Sequence, residues 1–271
     1  MTVISTARAE GIEAGFMYHY ETGTPAADRD LLGITTHRVG GGVVLSMRND
    51  VTSYWNKALG FGFTEPVTAD LIDEIIGIYR AERAPVAVLQ IAPEVLPTDW
   101  ADICAAHGLQ PGGRIAKLAA PIEDVVIKGK TDLGIVPVTA DLADAWGRSI
   151  LTAFGMPHDG LAGMLKASAE KPDFHLYAAL SGDTVVGGGA LYVNDEVASL
   201  NSGAVLPGYR RRGGQGALIA ARLVKARALG CRYVVTEVVQ PGEGQVNPSL
   251  NNMLGAGLTR LYVRQNWYWR P

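Results

Sequence analysis

Between Leu206 and Ile219 the chain reads Pro207-Gly208-Tyr209-Arg210-Arg211-Arg212-Gly213-Gly214-Gln215-Gly216-Ala217-Leu218. An apolar run over 197–206 precedes this stretch and an Ala-rich segment of helical spacing follows it, so it joins the end of a strand to the start of a helix. Glycines let backbone N–H groups approach an anion closely. A helix start presents unpaired N–H groups and the positive end of its dipole. Arg210, Arg211 and Arg212 add fixed charge and forked donors. Together these are the parts of a diphosphate cradle, with donors supplied from Arg212 through Gly213, Gly214, Gln215 and Gly216 to Ala217. A nucleotide P-loop is the poorer reading, because no Gly-Lys-Ser/Thr follows the glycines.

The cradle needs elements to hold it. After residues 120–132, which read as a linker, the pattern predicts a strand over 135–138, a helix from a Thr139 cap to about Phe154 and a second helix over 160–170. Strands follow at 174–180, 184–193 and 197–206. The helix over 214–229 carries a small-residue stripe of Ala217, Ala220, Ala221, Val224 and Ala228, with Arg222, Lys225 and Arg227 on its outer face. A strand at 232–239, a helix at 248–256 and a strand at 261–269 complete this half. Before the linker the order is strand (43–47), helix from a Thr68 cap, strand (86–92), helix (98–107) and strand (114–119). Leu71, Ile72, Ile75, Ile76 and Tyr79 form the apolar stripe of the first of those helices. The hexapeptide Pro-Val-Thr-Ala-Asp-Leu occurs at both 66–71 and 137–142, and is read as two helix starts rather than a duplication.

A strand, then Arg-x-x-Gly-x-Gly/Ala, then a long helix resembles the signature of the GNAT superfamily of acyl-CoA-dependent N-acetyltransferases. Two registers compete. Arg210 with Gly213 keeps the Pro207-x-Tyr209 lead-in and puts Gln215 where Gly or Ala is usual, while Arg211 with Gly214 and Gly216 matches formally. The resemblance covers residues 133–271, and 247–258 looks like the family's fourth helix and following corner. The first half resembles a GNAT unit in element order, with 61–117 similar to the N-terminal region of some tandem GNAT proteins, and lacks the Arg/Gly loop. The expected architecture is therefore α/β (α+β). It has two GNAT-like domains, 1–125 degenerate and 126–271 catalytic. Each is expected to be a central mixed, mostly antiparallel sheet flanked by helices, with a splay between strands 4 and 5.

The resemblance implies acetyl-CoA as co-substrate, without a metal. The implied reaction is transfer of an acetyl or short acyl group to an amine of a small molecule, by direct attack through a tetrahedral intermediate. The strand edge at Ala204, Val205 and Leu206 would pair with the pantetheine amides, and the Val205 N–H would hold the oxyanion. For the base, a water held by Asn201 and the carboxylate of Glu237 are both open. For the acid, Met253 stands where the family usually has tyrosine, so Tyr262, or less directly Tyr268, is the substitute. His158 and Asp159 fall in the loop that lines the acceptor site in this fold. Trp267 and Trp269 fit either an acceptor pocket or the core. A non-catalytic acyl-CoA sensor is the second reading. On these grounds Gly213→Asp is expected to abolish cofactor binding.

The remaining properties set limits. With 271 residues, 48% hydrophobic and 19% charged, the chain has ample material for a packed core. A net charge of −3 argues against a general nucleic-acid binder and makes the arginine cluster local. Cys104 and Cys231 lack partner spacing and read as reduced, buried thiols. No apolar run reaches membrane-spanning length and no signal-peptide pattern opens the chain. The expectation is a cytoplasmic protein without membrane or nucleic-acid partners, for which a homodimer is an allowed assembly.

Overall fold

The computed structural model describes residues 4–271. The first half runs α1 (Thr6–Thr22), α2 (Ala26–Leu32), β1 (Ile34–Val39), β2 (Gly42–Met47), β3 (Lys57–Leu59), α3 (Ala69–Ala81), β4 (Ala87–Gln90), α4 (Trp100–His107) and β5 (Gln110–Pro121). The second runs β6 (Gly134–Pro137), α5 (Ala143–Phe154), α6 (Leu161–Ala167), β7 (Phe174–Ser181), β8 (Thr184–Asn194), β9 (Val197–Val205), α7 (Gly214–Ala228), β10 (Tyr233–Val239), α8 (Pro248–Gly255) and β11 (Thr259–Trp269). α3 follows its sequence pattern directly. The Thr68 hydroxyl accepts from the Leu71 N–H, and Leu71, Ile72, Ile75, Ile76 and Tyr79 are its buried face.

The second copy of the hexapeptide behaves differently. Residues 139–142 form a turn closed by Leu142 N–H to Thr139 C=O, and α5 starts only at Ala143, so Thr139 is not its cap. Local sequence alone does not determine a helix start; Trp146, Ile150 and Leu151 anchor α5 where they can be buried.

All strands join one sheet in the order β1-β2-β3-β4-β11-β5-β10-β9-β8-β7-β6, and only β3–β4 and β9–β10 are parallel pairs. The element string β1-β2-β3-α3-β4-α4-β5 recurs as β7-β8-β9-α7-β10-α8-β11. The last strands are exchanged between these repeats. β5 pairs with β10 of the second half, while β11 pairs with β4 of the first, and β5 and β11 pair with each other at the middle. A cut between residues 125 and 126 therefore divides the sequence but leaves each half's last strand seated against the other. Cys104 and Cys231 are free and buried in separate apolar clusters.

α7 departs from its expected orientation. Its buried face is Gly214, Ala217, Leu218, Ile219, Arg222, Leu223 and Ala226, while Val224 and Ala228 are exposed. Arg222, expected outside, is fully buried. A charged residue masks the true apolar stripe, because a guanidinium enters a core when backbone carbonyls meet it there.

Candidate active site

α7 begins at Gly213, whose φ of 77° places it in the left-handed region that favours glycine. No side chain caps this start and no acidic residue lies in its first turn, so its N–H groups are left for a ligand. The matching start in the first half is closed. Thr68 caps α3, Asp70 sits in its first turn, and Glu65 in the preceding loop would repel phosphate.

The three arginines part company. Arg210 Nε donates to Val205 C=O at 3.0 Å. Arg211 is exposed with φ 62°. Arg212 forks onto Asp132, with Nε at 3.0 Å and Nη2 at 2.5 Å. The segment read as a linker is thereby bound to the loop, and it brings Lys128 and Lys130 beside the cradle. A Cβ on Gly213 would stand 2.0 Å from Lys130 C=O, so Gly213→Asp is a packing test before it is a charge test. Gly216 is open, its nearest such atom being Lys128 C=O at 3.8 Å.

Beyond the cradle the sheet opens. β9 and β10 pair from Val197/Tyr233 to Leu200/Thr236 and no further. The Thr236 hydroxyl, donating to Leu200 C=O at 2.8 Å, marks the last tie. Past it β9 carries a bulge, with Ser202 at φ 51° and a register shift against β8. Leu206 N–H turns to Val186 on the β8 side. By alternation, the backbone groups of Val205 face the opened side.

A cavity of about 580 Å³ lies against this splay and between the chain halves. Asn201, Gln215 and Glu237 line it from the second half, and Tyr20, Trp55 and Lys57 from the first.

One wall of the cavity is a buried ion cluster. Arg264 of β11 donates to Glu10, to Glu13 at 2.8 Å and to Glu237 at 2.6 Å. Lys117 of β5 contacts Glu13, and lies 3.8 Å from Glu10 and 3.7 Å from Glu237. Lys57 stands 4.0 Å from Glu237. Three carboxylates thus face three cations where the exchanged strands meet. The cations share Glu13 and Glu237 unequally. Arg264 and Lys117 hold the Glu13 carboxyl well below the usual carboxylate range despite its burial. Burial and the Glu13 charge push Glu237 upward, against the pull of Arg264, Lys117 and Lys57. Glu237 is also the more exposed of the two, at 21% against 5%, and its carboxyl is the one shifted upward.

The residues expected at the site are partly brought together. Asn201 lines the cavity, its amide donating to Ser199 Oγ at 2.9 Å. Gln215 also lines it and reaches toward Gly203 C=O at 3.4 Å, so the residue that departs from Gly/Ala looks into the splay. Met253 and Tyr268 line it as well.

Tyr262 does not join them. Its hydroxyl donates to Glu10, and burial together with that carboxylate raises its pKa far above the ordinary phenol value, which opposes a proton-donor role. His158 is held by Thr152 Oγ at 3.0 Å and Asp159 is exposed, so their loop presents Phe154 and Met156 to the cavity instead. Trp269 belongs to the core under α3, and Trp267 stacks edge-on against Trp100.

Sequence reasoning missed Glu13, Tyr20, Trp55 and Lys57, which reach the cavity from the half without a cradle. It also missed Arg222. The only early signal for Glu13 was a carboxylate at helical spacing from Ala9, Phe16 and Met17, all on the buried face of α1.

The chain is similar in structure to a GCN5-related N-acetyltransferase from Kribbella flavida (TM-score 0.64, 15% identity, covering 98% of this chain and 95% of that one). It is similar also to one from Sphaerobacter thermophilus (0.61, 15%, 98% and 95%). A tandem GNAT protein from the clavulanic acid biosynthesis pathway matches at 0.56, with 13% identity over 98% of this chain and 96% of that one. At such identities the likeness is one of fold. No curated protein matches the sequence. Residues 142–247, which run from the approach to α5 through the cradle to the start of α8, match the model of the acetyltransferase (GNAT) family.

Proposed function

We propose that the protein transfers an acetyl or short acyl group from acyl-CoA to an amine of a small molecule, and that residues 126–271 carry the donor site. The observation that carries this reading is that the uncapped start of α7 and the cavity meet at the opening between β9 and β10. The residues fit the donor. The N–H groups from Gly213 to Gly216, with Arg210 and Arg211, suit a diphosphate, whereas the Ala217 N–H, expected in the cradle, already donates to Gly213 C=O at 3.1 Å. The free edge at Ala204–Leu206 suits the pantetheine amides. The acceptor would enter from the cavity, so the half without a cradle supplies acceptor walls and not a second donor site.

In this reading Glu237, with its raised pKa and its face on the cavity, removes the proton as the amine nitrogen bonds to the thioester carbon. The Val205 N–H suits the oxygen that becomes anionic as the nitrogen adds and re-forms the carbonyl as the C–S bond breaks, and the thiolate leaves beside Met253 and is protonated from solvent. Thiol release from acetyl-CoA, measured over a panel of small amines, tests the reading; release with at least one acceptor is expected. Binding of CoA without turnover on any acceptor would favour a sensor. That alternative draws on one observation, that Met253 offers no proton to a leaving thiolate and Tyr262 is engaged by Glu10.

A further inference from the structure

Arg222 is a buried cation without a counter-charge. Its side chain is withdrawn from solvent. Nε donates to Leu218 C=O at 3.0 Å, and Nη1 donates to Ala190 C=O at 3.1 Å and Asn201 C=O at 3.0 Å. The Ala190 and Asn201 carbonyls flank the register shift between β8 and β9, so the guanidinium ties α7 to that bulge. Nη2 has no partner. Among the described residues no carboxylate forms an ion pair with Arg222, and burial alone lowers its pKa, to about 10. The other buried cations among the described residues, Lys57, Lys117 and Arg264, are each matched by carboxylates. An unmatched buried guanidinium is costly unless an anion arrives.

The free donor is aimed at a definite place. A Cβ on Gly203 would lie 3.2 Å from Arg222 Nη2 and 3.3 Å from Gln215 Nε2. Two N–H donors therefore converge on the bare face of Gly203, on the unpaired stretch of β9, and all three residues line the cavity. Arg222 Nη2 has no acceptor and Gln215 Nε2 has only the long contact to Gly203 C=O at 3.4 Å, and a carboxylate accepts from two such N–H groups at once. Arg114, exposed at the cavity rim, adds positive charge.

We propose that Arg222 Nη2 and Gln215 Nε2 bind a carboxylate carried by the substrate. This rests on the acyl-transfer reading, and the carboxylate has two sources: an acceptor of amino-acid type, or an acyl group that itself ends in a carboxylate.

Calorimetry on the whole chain separates these. The donor arm compares succinyl-CoA with butyryl-CoA. The acceptor arm compares phenylalanine with phenethylamine, with and without CoA. A preference of about tenfold or more for the acid in at least one arm is expected, the scale of a charge-assisted hydrogen bond; the arm that shows it names the source. Gly203→Ala fills the convergence point without removing the buried charge, and should bring that preference close to unity. Arg222→Met should do the same where it folds. A wild-type preference below about threefold in both arms, or one that survives Gly203→Ala, overturns the proposal. If CoA itself does not bind the wild type, the donor reading fails, and the acceptor arm without CoA still decides the carboxylate.

Discussion

Glu13 of the first helix and Arg264 of the last strand lie 251 positions apart in the sequence and 2.8 Å apart in space, both withdrawn from solvent. The pair closes the molecule on itself, because β11 has crossed to the first half and α1 sends Glu10 and Glu13 onto the exchanged strands. Arg264 hydrogen-bonds Glu10, Glu13 and Glu237, so Arg264→Met leaves three carboxylates to two lysines in a buried setting. Removing one partner of a buried ion group costs about 3–5 kcal/mol. Urea unfolding of the variant should show that loss as a single cooperative transition, since both halves share the cluster. A loss below about 1 kcal/mol would mean that the strand exchange holds without it.

How much of this was legible in the sequence follows from what each residue contacts. The cradle was legible because its glycines and arginines are contiguous and their chemistry is local. α3 was legible because Thr68 caps it and its stripe is purely apolar. α1 was not, because Glu10, Glu13 and Glu21 stand on its buried face and break the apolar period. Arg222 was misplaced for the same reason. The cavity had no local signal at all: Trp55 and Glu237 line it from opposite halves of the chain, and no periodicity reports a strand exchange.

Gly216 gives the clean test of the cradle. Its φ lies outside the left-handed region and a Cβ there meets nothing closer than 3.8 Å, so Gly216→Asp fits without strain. A carboxylate in the first turn of α7 favours the helix dipole, so thermal stability should hold or rise slightly. The same charge stands where the diphosphate would bind, so CoA affinity should fall by about a hundredfold or more, an electrostatic penalty on the scale of a lost charged contact. Titration calorimetry beside thermal unfolding reads both. A folded variant with unchanged CoA affinity would remove the cradle from consideration.

Glu237 predicts a pH profile. Its carboxyl titrates above the ordinary value of 4.5, raised by burial and by Glu13. A base must be deprotonated to work, so kcat/KM should rise with pH through that raised value and show an acid limb there. Glu237→Gln removes the limb and lowers kcat by about a hundredfold or more, the usual contribution of a positioned base. The limb persisting unchanged in the variant would pass the role to a water held at Asn201.

Glu21 carries a different pH dependence, one of stability. It is fully buried, neither carboxylate oxygen has a hydrogen-bond partner, and burial with the Asp50 charge drives its pKa well above 4.5. The folded state thus holds a proton that the unfolded chain releases. Its contribution is fully present below pH 4.5 and is lost as pH rises toward the raised folded value. Each unit of that rise weakens the fold by about 1.4 kcal/mol. Glu21→Gln keeps the shape and has no proton to lose. It should match the wild type near pH 4, then exceed it by a margin that widens as pH climbs toward the raised folded value. Paired urea titrations across that range measure the margin. A constant or shrinking difference would show that Glu21 is ionised in the fold, with Lys57 and Arg29 outweighing its burial.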